Sequence, residues 1–315
     1  MRIKALLTII LLSLLSCYKT ELDFDNKNFE PIPIVNCLFT EDSTFKVWVG
    51  RTKNIFTEDT NTIEVLKVFI TSEDGKEIKL NKKDSHLFVS DSTAKAGIVY
   101  NLKVETEKYG TLSATSSIPF QIAPIDSVFI IKKTPATIFS NYGILVRLIF
   151  SDIANNTNCY EISCLGNKYI RLDTPVTELF KLDINSCLSP IFQKEGIKST
   201  NNLIFSDKSY ENQTIAVDFY ITQDFLTKYK KNVFFYLKNI SKDYFSYLKS
   251  IDYCNTNNSN YLYIPEIEDL VSFNFLSKPS SIYTNIKGGT GIFAGYNCKS
   301  KYILNITDSL IQNFQ

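Results

Sequence analysis

The sequence predicts an all-β, mainly antiparallel protein: an immunoglobulin-like N-terminal sandwich followed by a larger β-sandwich domain with one or two short helices. Three observations carry that expectation. Between Pro31 and Pro119, seven short runs alternate apolar and polar residues and are parted by turn signals, the spacing of a seven-stranded sandwich. The chain is rich in Ile, Val, Phe, Tyr and Thr and holds one Met, a palette that suits pleated, half-buried surfaces. Beyond Pro124 the strand-like runs continue, and helical patterns are few.

The chain opens with MRIKALLTIILLSLLSC. Arg2 and Lys4 give a positive start, Ala5 to Leu15 is almost wholly apolar, and Ser16-Cys17 closes the run. This is the layout of a secretory signal, a charged n-region before a short apolar h-region. The apolar run is too short for the roughly twenty residues that span a bilayer. Its ending, Leu14-Leu15-Ser16-Cys17, resembles a lipobox, at which bacterial lipoproteins are lipidated on cysteine and cut just before it. The expectation is a signal peptide over residues 1–16 and a lipid on Cys17. Residues 17–30 then read as a polar, acidic tether without period.

The first sandwich is expected over 31–120. IVNCLF opens it, and STFKVWVGR alternates, with Phe45, Val47 and Val49 on one face and Lys46 and Trp48 on the other. VLKVFITS runs into Glu73-Asp74-Gly75, where Asp-Gly supplies the positive φ of a tight hairpin. KEIKL, HLFVS, IVYNLKVET, a turn at Tyr109-Gly110 and TLSATSSI complete the set. PFQIAP, Pro119 to Pro124, reads as a linker, and residues 121–315 as the second, β-rich domain. Its strands are SVFIIKK, GILVRLIFSD, NCYEISCL, NLIFS, TIAVDFYIT, NVFFYLKNI and KYILNI. Ser241 to Lys249 predicts a helix, with Ser241 as N-cap, an acid in the first turn, and Tyr244, Tyr247 and Leu248 on one face. DFLTKYKK at 224–231 is a second helix candidate, and NTNNSN at 255–260 reads as a polar loop.

Charge excludes some functions. With 34 basic and 33 acidic residues and no basic stripe interleaved with aromatics, nothing favours nucleic acid. Apart from Cys17, six cysteines remain: Cys37, Cys159, Cys164, Cys187, Cys254 and Cys298. An exported chain permits disulfides, and the pairing is open. Cys37 shares strand parity with Val35 and Phe39, which predicts a buried free thiol. Cys159 and Cys164, five apart, would point to opposite faces of a straight strand. No CxxC or Cys/His spacing suggests zinc, and no cofactor is implied.

Chemistry-bearing candidates each have a plain structural reading. Gly288-Gly289-Thr290-Gly291 could cradle an anion, but it lacks the Lys-Ser/Thr of a P-loop. Close backbone packing before a strand explains it better. His86, the only histidine, has no nucleophile motif to serve and reads as a surface residue. Glu266, Glu268 and Asp269 form a polar edge. Tyr253, Tyr261 and Tyr263 flank the Asn-rich loop, as a ligand or partner surface or simply as strand aromatics.

Three segments carry a family resemblance: KPSSIYTNIKGGTGIFAGYN (278–297), LIFSDKSYENQTIAVDFYI (203–221) and SKDYFSYLKSI (241–251). The Gly-Gly pair and Gly-Ile-Phe run, the Phe-x-Asp before a strand, and the helix are similar to those of Bacteroidota lipoproteins of domain-of-unknown-function family 4249. The resemblance covers nearly the whole mature chain, although Ala294 stands where the family often has Gly. It implies an outer-envelope β-sandwich lipoprotein, often associated with TonB-dependent outer-membrane receptors, with no established activity. The expected function is therefore a non-catalytic binding or accessory partner of such a receptor, anchored in the outer-membrane bilayer by its lipid on the periplasmic or cell-surface face. The alternatives are a surface enzyme acting on glycan or peptide polymer, and an adhesin.

Overall fold

A computed structural model describes residues 29–54, 58, 60–134, 143–154, 157–171, 174–178, 202–208, 210–222, 232–258 and 281–305. Ile32–Thr52 and Asn61–Gln315 make one compact unit, which holds every element described below. Met1–Pro31 with Lys53–Thr60 make another, whose described residues carry no strand.

All seven expected N-terminal strands form. They are β1 (Pro33–Thr40), β2 (Thr44–Arg51), β3 (Val65–Ser72), β4 (Glu77–Lys82), β5 (Leu87–Thr93), β6 (Val99–Thr106) and β7 (Gly110–Ser117). One layer runs β1-β2-β5-β4 and the other β3-β6-β7, the immunoglobulin arrangement. β4 joins both, pairing β5 through Leu80–Lys82 and β3 through Glu77–Lys79. Alternation decides which side chains turn inward. Val35, Cys37 and Phe39 of β1 and Phe45, Val47 and Val49 of β2 are buried with Val68, Ile70, Leu102, Val104, Leu112 and Ala114 of the facing layer. Phe39, Phe45 and Tyr100 close the layers with ring centroids 5.0–5.7 Å apart. The Asp-Gly hairpin works as expected: Gly75 sits at φ 83°, and its N–H donates to Ser72 O at 2.9 Å.

The second core has a three-stranded antiparallel layer, β13-β9-β8, from β8 (Ile125–Thr134), β9 (Gly143–Ser151) and β13 (Thr214–Thr222). On its register Arg147 pairs with Asp218 through two hydrogen bonds of 2.7 and 2.8 Å. The other layer holds β10 (Cys159–Arg171), β11 (Thr174–Glu178), β12 (Leu203–Ser206), β14 (Asn232–Ile240) and part of β15 (Thr290–Asn305). β11, unforeseen in the sequence, is five residues long and begins Thr-Pro. Phe150, Tyr160 and Phe205 pack at the centre.

β15 links the two cores. Its first part pairs parallel with β1, from Ile34↔Thr290 to Thr40↔Tyr296, and its second part pairs antiparallel with β14 as far as Asn232↔Asn305. Phe293 therefore completes the first core, 4.7 Å from Phe39, while Tyr302 and Leu304 pack on the second. In the sequence only KYILNI reads as a strand here. GTGIFAGYN extends it, because its glycines let it approach β1 and β7 closely. A Cβ on Gly289 would stand 2.6 Å from Pro33 O; those on Gly291 and Gly295 would collide with Val35 O and Ser117 O.

The predicted helix forms as α1 (Lys242–Asn258). Ser241 caps it, its Oγ accepting the Tyr244 N–H at 3.3 Å. Tyr244, Phe245 and Leu248 pack over Cys159, Ile204 and Ile240. α1 continues through 255–258, which were expected as loop; nothing from Ser250 to Asn258 is Gly or Pro, so no breaker stops it. The helix expected at 224–231 lies outside the described residues.

Cys37 is buried and free, as strand parity requires, and burial pushes its thiol up to about 12. Cys159 and Cys164 are also buried and free, and they do point to opposite sides of β10: Cys164 into the second core, Cys159 under α1.

Candidate functional site

The linker between the cores runs from Ile118, buried in the first, to Ala123, buried in the second. Its backbone polar groups need partners, and strands β14 and β15 supply them from side chains. Asn239 Oδ1 accepts the Ala123 N–H at 3.1 Å, Ser300 Oγ accepts the Ile125 N–H at 2.8 Å, and Asn297 Nδ2 donates to Pro119 O at 3.4 Å. Three residues apart on a regular strand, Asn297 and Ser300 would face opposite ways. A bulge in β15 opposite Lys238, between the pairs Asn239↔Asn297 and Leu237↔Ser300, turns both inward.

Beside this linker lies a cleft of about 670 Å³. Its walls are the ends of β6 and β7, the linker residues Pro119, Phe120 and Gln121, the entry to β10, and the β14–α1 junction. The lining is mainly hydroxyl and amide: Thr115, Ser116, Ser117, Gln121, Thr157, Asn158, Asn239 and Ser241. Among its described residues, one cation, Lys242, and one carboxylate, Asp243, balance each other. Tyr283 Oη donates to Asp243 Oδ1 at 2.6 Å, and burial and then Asp243 push that phenol up to about 12. Among the described residues, two polar atoms of the lining are fully buried without a protein partner, Ser116 Oγ and Asn239 Nδ2. Phe120 contrasts with them: 75% of it is exposed, and it lies against Gly97, whose φ of 80° and missing Cβ make room for the ring.

Chemically, this lining can hydrogen-bond a neutral polar ligand, and its Ser241 and Cys159 are not activated for nucleophilic attack. Ser241 is committed to capping α1. Burial, and secondarily Asp207, push the Cys159 thiol up to about 11, so it stays protonated. His86 is away from the cleft lining, half-buried rather than on the surface, its ring stacked 5.1 Å from Trp48 and its Nδ1 3.1 Å from Val49 O. Asp207 backs the cleft: both its oxygens accept the Asn158 N–H at 2.9 Å. Among the described residues, no three His, Cys, Asp or Glu side chains gather as a metal site.

The glycine segment packs closely on β1, with Gly288 at φ 83° just before β15 and Gly291 at φ 110° at its start. Tyr253 is 61% exposed on α1, about 15 Å along the helix axis from Asp243, and does not line the cleft. Tyr261, Tyr263, Cys17, Cys187 and the carboxylates Glu266, Glu268 and Asp269 lie outside the described residues. No described helix is long and apolar enough to cross a membrane. In the sequence PFQIAP reads only as a linker, and the cleft is not visible there. The available signal was an aromatic flanked by proline, straight after the hydroxyl run Thr115-Ser116-Ser117.

Two sandwich cores that share one long strand, with a polar cleft along their linker, define an all-β, mainly antiparallel protein. The chain belongs to the family described as Domain of unknown function (DUF4249), which matches residues 19–302. No curated protein matches it.

Proposed function

We propose that this is a lipid-anchored outer-membrane protein of Bacteroidota type whose folded part is a non-catalytic binding module. It assists a TonB-dependent outer-membrane receptor by capturing a ligand and handing it over. The observation that carries the binding role is the cleft: concave, polar, near charge balance, and lined by groups that hydrogen-bond without an activated nucleophile. The anchoring half rests on Arg2, Lys4, the apolar run and Cys17. The receptor half rests on the family.

The test is a mild-detergent pull-down through a C-terminal tag from the native membrane, followed by mass spectrometry. Stoichiometric recovery of an outer-membrane barrel is the expected result. A clean monomer that degrades a glycan or peptide, and loses that activity on one carboxylate change, would replace the binding role with an enzymatic one.

A further inference from the structure

We infer that the cleft along the linker is a carbohydrate site, taking a neutral oligosaccharide whose sugar face lies on Phe120. The inference deepens the binding role above and rests on it.

A ligand must match three features. The first is the lining, in which each hydroxyl donates and accepts and each amide offers both a donor and an acceptor. Sugar hydroxyls do the same, so a polyol satisfies such walls more completely than a ligand that only donates or only accepts.

The second feature is charge. Among the described residues, Lys242 and Asp243 are the only charged ones of the lining, and the Asp243 carboxylate is engaged by Tyr283. A phosphate or sulfate would find one cation beside one anion, and a cationic ligand would fare no better. Neutral ligands fit.

Phe120 is the third. A phenylalanine 75% exposed at the mouth of a polar cleft is out of place for stability, since its apolar ring stays in water. It is held there, not loose: one side rests on Gly97, and the Gly97 N–H donates to Ile118 O at 2.9 Å, fixing the turn beneath it. A rigid aromatic plane offers large contact area at little entropic cost. The C–H face of a pyranose is the apolar surface that stacks on such a plane while the equatorial hydroxyls reach the walls.

An extended peptide fits less well. Peptides bind strands by adding to an open edge. Here the β7 edge is covered, by the Ser113–Lys287 bridge and by the close approach of Gly295 to Ser117 O.

The experiment is native affinity electrophoresis of the purified full chain in gels containing a soluble neutral polysaccharide: an α-glucan, a β-glucan, a mannan or a xylan. Retardation by at least one is expected. Phe120→Ala should weaken it about tenfold or more, the effect of losing an aromatic anchor. Phe120→Trp should retain or strengthen it, which a purely structural role would not produce. Circular dichroism confirms that both variants fold, as a residue this exposed allows. No retardation in any gel, retardation untouched by Phe120→Ala, or binding only to a peptide library would each overturn the inference. This readout needs no receptor, so a failed pull-down with retained polysaccharide binding removes the receptor and leaves the sugar site, and the reverse outcome does the opposite.

Discussion

Asn239 on β14 and Asn297 on β15 face each other in register, and between them they hold opposite ends of the same linker. Asn239 takes the Ala123 N–H, and Asn297 gives to Pro119 O. Both side chains are buried, so neither contact has water as a ready substitute. Asn239→Ala leaves the Ala123 amide without its acceptor and should lower stability by about 1–3 kcal/mol. Urea denaturation checks this; an unchanged midpoint would mean that the linker finds another partner.

Glu161 and Lys238 are cross-strand neighbours joined at 2.9 Å, with the glutamate only 2% exposed. Asn202 Nδ2 adds a second bond to the same oxygen at 2.5 Å. Removing one partner of a buried pair strands the other charge, so Lys238→Met should cost about 3–5 kcal/mol. Glu161→Gln combined with Lys238→Met should recover most of that loss, and a double variant as unstable as the single one would contradict this account.

Glycines divide by what a methyl group would meet. Gly75→Ala meets open space and suffers only its φ of 83°, a loss of about 1–2 kcal/mol. Gly295→Ala drives a methyl into Ser117 O, a backbone atom that cannot rotate away, and should cost more than about 3 kcal/mol or prevent folding. Thermal melts of the two variants side by side give the ranking.

Asp207 is held by burial, in spite of the amide hydrogen bonds from Asn158 and with help from Asp152, at a pKa of about 6 against an ordinary 3.8. Between those values the folded protein keeps a proton that the unfolded chain has lost. Its stabilising contribution is therefore full below about pH 4 and is lost as pH rises through about 6. Relative to Asp207→Asn, the wild type should lose melting temperature across that window. Parallel curves from pH 4 to 7 would refute the assignment.

Cys17→Ala should block maturation and release the protein from the membrane fraction. Outer-membrane fractionation at the wild-type level would mean that something else anchors it.

The strands were legible because their cause is local. STFKVWVGR and IVYNLKVET alternate cleanly, one face of each sandwich layer is wet, and Asp74-Gly75 permits one kind of turn. What could not be read depends on distant partners. Nothing in GTGIFAGYN announces that β1, more than two hundred residues earlier, will lie beside it. The cleft is harder still. Thr115, Phe120, Asn158 and Asp243 come from four separate stretches, and each taken alone is an ordinary strand-end, linker or cap residue. Tyr253 stands out in the sequence for its chemistry, but helix geometry carries it away from the linker.

The parallel pairing of β1 with β15 sets an order of events in the making of the protein. β1 is synthesised more than two hundred residues before its partner, so Phe39 must wait for Phe293. Contacts this distant in sequence form late and slowly, because the intervening loop must close first. Until then β1 presents an unpaired edge beside apolar side chains, the kind of surface on which nascent chains stick together. Truncation before Thr290 would make that transient state permanent.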